Sequence, residues 1–186
     1  MREFFHSYGF CPRCGTRYGA RSFDPTLVMF TCGSCSYEFY QHSVLAATAV
    51  VPSAYDRGCI MFITRRTQPY DGLLALPGGI LRYGEDPSAA AIRETTEETT
   101  VTPRVDRLLC ATRVDYPYRG SWISILELAY LMQPMTIDLR AVSTPEAVKV
   151  EFLDVGRIIS ASDALAFPEQ AHVLEAYRGV HAFSIH

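Results

Sequence analysis

Short apolar runs, most too short for a helix, recur along the chain and predict strands first. Residues 44–51 are almost continuously apolar and predict a buried strand, with 59–65 as its hairpin partner. Residues 105–114 and 122–132 predict two long strands joined by a loop over 115–120, and 147–153 predict a final strand. Residues 154–159 and 168–177 read as helices, the second turning Val173, Leu174 and Tyr177 inward. Between the early and late strands the pattern switches to a helix. Asp86 is placed to cap it, Pro87 takes its first position, and residues 88–92 propagate it. Strands arranged around one polar helix predict an α/β domain with a mixed sheet.

That helix carries the first candidate chemistry. Glu94, Glu97 and Glu98 stand at i, i+3 and i+4, so their carboxylates project from one face. Three like charges repel one another there unless a hard divalent cation takes their oxygens; the plain alternative is a solvated acidic face. Arg93, four residues before Glu97, is placed to pair with a carboxylate. Just upstream, Leu76-Pro77-Gly78-Gly79 reads as a tight turn whose backbone can approach a metal or phosphate unobstructed.

Gly79, five residues, Glu85, seven residues, then Arg93-Glu94-x-x-Glu97-Glu98 resembles the signature of the Nudix hydrolase superfamily, with six residues fixed over twenty positions. Two departures stand out: Thr95 where the family has an apolar residue, and Thr99-Thr100 where it has glycine and then an apolar residue. A β-branched residue is strained in the left-handed conformation that ends many helices, so either the helix exits differently or the following loop is repositioned. The resemblance implies an α/β/α sandwich and attack of water on a diphosphate. It implies Mg²⁺ (or Mn²⁺) held by Glu94, Glu97, Glu98 and the Gly79 carbonyl, with Glu85 binding metal or pairing with Arg93. Gly78, Gly79 and Arg65, at the end of its strand, are candidates for holding the substrate's phosphates. Glu127 and Glu146 are candidates for the general base or a further ligand.

Cysteine spacing marks a second unit. Cys11-Pro12-Arg13-Cys14 and Cys32-Gly33-Ser34-Cys35 are two C-x-x-C knuckles seventeen residues apart, the pattern of a four-cysteine zinc site. Residues 27–30 suit a short strand between them, and residues 37–42 a last one. The stretch resembles a zinc ribbon, giving a division into 1–42 (ribbon) and 43–186 (Nudix hydrolase domain). Four thiolates close the coordination shell, so this zinc is structural. Arg13, Arg17 and Arg21 are too sparse a basic set to make nucleic-acid contact the first reading. Cys59 and Cys110 read as buried, inert thiols.

A net charge of −3 leaves no broad electrostatic footprint for nucleic acid, and 48% hydrophobic residues are ordinary for a soluble globular chain. The start of the chain lacks the apolar core of a secretory signal, and no apolar run is long enough to span a bilayer, so the expectation is cytoplasmic. A zinc ribbon before a Nudix box resembles the NADH pyrophosphatase branch and relatives acting on ADP-ribose or FAD, some of them homodimers. The Ser-Gln-Pro-Trp-Pro-Phe-Pro motif of NADH-type enzymes is missing. Its place holds Tyr116, Tyr118 and Trp122, candidates to stack on a base. A small nucleotide is therefore the expected substrate, ADP-ribose or FAD before NADH. The alternative is a weakly active or inactive Nudix-like module that binds a nucleotide and meets a partner through the ribbon.

Overall fold

The computed structural model describes residues 8–19, 22–25, 27–118, 120–136 and 144–182; Arg21 lies outside the described residues. The chain divides into two compact units, Met1–Val44 with Asp115–Ser124, and Leu45–Val114 with Ile125–His186.

In the first unit, β1 (Phe23–Asp24), β2 (Met29–Thr31) and β3 (Glu38–Tyr40) form an antiparallel sheet in that order. Phe30 is its buried centre, with the rings of Tyr8, Tyr18, Phe23 and Phe39 between 4.8 and 6.5 Å away. The strand begins two residues later than the apolar run suggests. Val28 turns with φ 49°, and its carbonyl accepts the Gln41 N–H at 2.9 Å. Both knuckles fold back alike: Gly15 N–H donates to Cys11 O and Ser36 N–H to Cys32 O, each at 2.9 Å. Both donor residues have positive φ, 72° and 55°.

The second unit is built on β4 (Val44–Val50), β5 (Cys59–Arg65), β6 (Leu74–Ala75), β7 (Gly78–Ile80), α1 (Pro87–Thr99), β8 (Val105–Tyr118), β9 (Ser121–Met132), β10 (Ala147–Asp154), α2 (Val155–Ser160) and α3 (Gln170–Ala182), while the end of β8 from Asp115 and the start of β9 to Ser124 fall in the first unit. The strands lie in two sheets, β10-β5-β6 and β7-β4-β9-β8. Side-chain alternation divides the core in two. Ala47, Ala49, Met61 and Ile63 pack with Ala90 and Ala91 of α1. Val50, Ile60, Phe62, Ala129 and Leu131 pack with Val155 and Ile158 of α2 and Val173, Leu174 and Tyr177 of α3. The sheets thus lie between α1 and the other two helices, an α/β/α sandwich. Among the described residues no helix is long and apolar enough to cross a membrane.

Three expectations change. Most of the loop expected over 115–120 is strand, because β8 runs on to Tyr118 and β9 begins at Ser121, with Gly120 at φ 79°. Cys59 and Cys110 are half-buried rather than fully buried, though burial pushes both thiols up, Cys59 to about 11. The Gly78-Gly79 turn is a strand: Thr48 pairs with Gly78 and Ala47 with Gly79. The bend falls at Pro77, which has no N–H to donate, where the chain leaves β5 for β4.

Candidate active site

Helix α1 starts where its cap predicts. The Asp86 carboxylate accepts the Ser88 and Ala89 N–H groups at 2.8 and 3.3 Å, ahead of Pro87. Small Ala90 and Ala91 let it close on the sheet, and Thr95, Glu98 and Thr99 are buried with them. The Thr95 hydroxyl is satisfied inside the helix by the Ala91 carbonyl at 2.7 Å, which explains a polar residue at an apolar position. Thr99 also stays helical, donating to Thr95 O at 2.5 Å and accepting Val101 N–H at 3.3 Å. Thr100 takes the left-handed exit, φ 61°, with its N–H on Thr96 O. The left-handed exit thus falls one residue after Thr99, and the carboxylates upstream keep their helical phase.

Close approach, rather than unusual φ, accounts for the two glycines. A Cβ on Gly79 would lie 2.5–2.6 Å from the Glu94 carboxylate, and one on Gly78 would strike the Thr48 hydroxyl and the Ala47 carbonyl. The Glu98 carboxylate accepts the Gly78 N–H at 2.9 Å. Burial, opposed by that hydrogen bond and reinforced by the charges of Glu94 and Glu146, pushes the Glu98 carboxyl up to about 8. Burial raises Glu94 as well, against the pull of Arg93.

Arg93 organises the other acids. Its guanidinium donates to Glu85 at 2.7 and 2.9 Å, to Glu94 Oε1 at 2.6 Å and to Glu97 Oε2 at 3.0 Å. The Arg93 hydrogen bond, with the Arg82 N–H, draws Glu85 down to about 2. Glu97 is half-exposed and also meets Arg82 at 3.1 Å. Among the described residues no donor meets Glu94 Oε2 or Glu98 Oε1, so the acids are organised without being locked shut. The set fits a divalent cation on this evidence: carboxylate oxygens without partners, one of them on a buried acid, lie beside a strand stripped of side chains. Among the described residues the four cysteines alone form a group whose donor atoms lie within 4.8 Å of one another.

Of the remaining candidates, Arg65 is close enough to Glu98 to act on its charge, and its guanidinium lies over the Phe167 ring at 5.4 Å. Glu146 is also on this side, bearing electrostatically on Glu94 and Glu98. Thr144 brings it there: its hydroxyl donates to Glu98 O at 3.0 Å and accepts the Ala147 N–H at 3.0 Å. Glu127 is not brought to these carboxylates. It shares the sheet face of Ala129, turned towards α3, where Gln170 Nε2 donates to it at 2.9 Å. Alternation along β9 shows that it points inward but not which helix it meets. Arg82, Thr144 and Gln170 went unnoticed in the sequence. Arg82 lies inside the motif, three residues before Glu85, and Gln170 is a polar residue on a helix otherwise read by its apolar face.

In the first unit the sulfurs form two close pairs, Cys11–Cys35 at 3.8 Å and Cys14–Cys32 at 3.6 Å. Tetrahedral zinc with bonds of about 2.3 Å requires sulfurs roughly 3.8 Å apart, so the set fits that ion. The buried Tyr18 hydroxyl has no oxygen or nitrogen partner, and Cys11 is its neighbour. Tyr116, Tyr118 and Trp122 belong to this unit as well.

The NUDIX domain family model matches residues 44–177. The chain is 31% identical over 123 residues to an ADP-ribose pyrophosphatase of Methanocaldococcus jannaschii, covering 66% of this chain and 68% of that one. Solved structures agree in fold. A NUDIX hydrolase from Nitrosomonas europaea matches with a TM-score of 0.60 at 19% identity, over 90% of this chain and 91% of that one. The NUDIX domain of Shewanella oneidensis NrtR, solved with ADP ribose, matches with 0.59 at 20%, over 75% and 89%. The chain belongs to the NUDIX family. With the motif and its carboxylates in place, it is a Nudix hydrolase.

Proposed function

We propose that the protein hydrolyses, with Mg²⁺ (or Mn²⁺), the pyrophosphate bond of a nucleoside diphosphate joined to a second group, ADP-ribose foremost. The carrying observation is the packing of Glu94 and Glu98 of α1 against Gly78 and Gly79 of β7, where neither glycine has room for a side chain. The substrate choice is supported by the archaeal relative named for ADP-ribose. Glu94, Glu97, Glu98 and the Gly79 carbonyl would hold the cation, which when bound neutralises phosphate charge and acidifies water. Arg93, braced by Glu85, sets the directions of Glu94 and Glu97. Arg65 would hold a phosphate oxygen, and Glu146 is the candidate to take the proton of the attacking water. Water adds to one phosphorus and the bridging P–O bond breaks, giving AMP and ribose 5-phosphate from ADP-ribose. The four cysteines hold structural zinc.

The experiment measures AMP release from ADP-ribose, FAD and NADH with and without Mg²⁺, in the protein and in Glu97→Gln. Metal-dependent AMP from ADP-ribose that falls at least about hundredfold in the variant is the expected result. Tight nucleotide binding with no AMP from any of the three would replace this reading with that of a nucleotide-binding module.

A further inference from the structure

Gln170 and Glu127 are both buried, at 1% and 7% exposure, on a face otherwise lined by apolar side chains. Glu127 is incompletely satisfied. Its Oε1 accepts from Gln170 Nε2, while Oε2 has no partner, since the Thr48 hydroxyl beside it is committed to the Pro77 carbonyl at 3.0 Å. A buried polar atom left unpaired costs about 1–3 kcal/mol, so the pair calls for a reason. The other end of Gln170 supplies one: its Oε1 accepts the Leu76 N–H at 3.2 Å. Leu76 is the residue between β6 and Pro77, where the chain has left one sheet and not yet joined the other.

Three successive residues before Gly79 are thus pinned from three directions. Gln170 accepts the Leu76 N–H, the Thr48 hydroxyl and the Ala49 N–H donate to the Pro77 carbonyl, and Glu98 accepts the Gly78 N–H. A carboxamide can turn over, however, and a flipped Gln170 would set its NH₂ against the Leu76 N–H, donor to donor. An acceptor at position 127 forbids the flip.

We propose that Glu127 is a positioning residue: it fixes the orientation of Gln170, which fixes residues 76–79 and so the Gly79 backbone against Glu94. This accounts for an acid on the face away from the α1 carboxylates. Its kinetic consequence rests on the proposed pyrophosphatase activity; its structural consequence does not.

The test combines amide exchange with kinetics in Glu127→Leu, Glu127→Gln, Gln170→Glu and the exchanged pair Glu127→Gln/Gln170→Glu. Exchange at Leu76 is read against Met61, whose N–H bonds to Val51 O well inside the sheet. In Glu127→Leu, Leu76 exchange rises about tenfold relative to Met61, and AMP release from ADP-ribose loses kcat with KM little changed. Glu127→Gln keeps an acceptor and keeps Leu76 protected. Gln170→Glu sets two carboxylates face to face and loses protection. The exchanged pair regains it, because Gln at 127 donates to the new acid, whose second oxygen accepts the Leu76 N–H. Equal acceleration at Leu76 and Met61 would reduce the pair to ordinary core stability. Loss of protection in Glu127→Gln, or no recovery in the exchanged pair, would also overturn the proposal. Absence of turnover in every protein tells against the pyrophosphatase reading, while the exchange data still decide this one.

Discussion

Two glycines and one glutamate show how single residues set the site. Alanine at Gly79 would press on the movable end of the Glu94 side chain, so Gly79→Ala should fold and displace that carboxylate. A displacement near 1 Å costs roughly hundredfold in rate, and kcat for AMP release with near-native thermal unfolding is the expected pair of results. Alanine at Gly78 would meet the Ala47 carbonyl and the Thr48 backbone, which cannot swing aside, so Gly78→Ala should lose stability as well as rate. Glu98 makes a pH prediction. Its carboxyl lies at about 8 when folded against an ordinary value of 4.5, so between these values the folded state holds a proton that the unfolded state has released. Metal-free stability should therefore fall as pH rises from about 4.5 to about 8. Glu127, raised by burial to about 7, adds a drop of the same sign that ends lower. Urea midpoints at pH 5.5 and 8.5 in magnesium-free buffer should show the loss, and Glu98→Gln should show a smaller one. An equal loss in that variant would mean Glu98 is not the group responsible.

At the scale of the element, α1 was legible where its signals are local. Asp86 before Pro87 announces a start, and Arg93 and Glu97 at i, i+4 announce a pair, because both depend only on helical geometry. The end was less legible. Thr99 is buried and closes two hydrogen bonds through its hydroxyl, and the strained residue is Thr100. Opposite outcomes follow from neighbouring substitutions. Thr100→Gly should stabilise the fold by about 1 kcal/mol by removing the left-handed penalty. Thr99→Gly should destabilise it by about 1 kcal/mol or more through lost hydrogen bonds and helix propensity. Paired denaturation curves check both signs at once. The glycine segment misleads for a related reason: Pro-Gly-Gly has the composition of a turn, and only Thr48, thirty residues upstream of Gly78, reveals that the glycines are there to lie flat against β4.

Across the molecule, patterns that depend on periodicity or fixed spacing were readable, and contacts between distant segments were not. The strands and the Cys-x-x-Cys knuckles fall in the first class, while Gln170 with Leu76, 94 residues apart, and Thr144 with Glu98 fall in the second. The two units should also differ in what holds them. The second has two apolar cores, whereas the first gathers aromatic rings around Phe30 and places four sulfurs at the spacing of zinc. Without the zinc proposed for those sulfurs, a module this small lacks the core to offset the entropy of ordering its chain. Stripping zinc with a thiol-compatible chelator should therefore erase amide protection over residues 8–42, the Phe30 and Thr31 amides included. Amides of β5 and α1 should keep theirs. Restoring one equivalent of Zn²⁺ should restore protection, while Mg²⁺, which prefers oxygen ligands, should not. Protection over residues 8–42 that survives complete removal of the metal would mean the aromatic cluster suffices, and the four cysteines would then need another explanation.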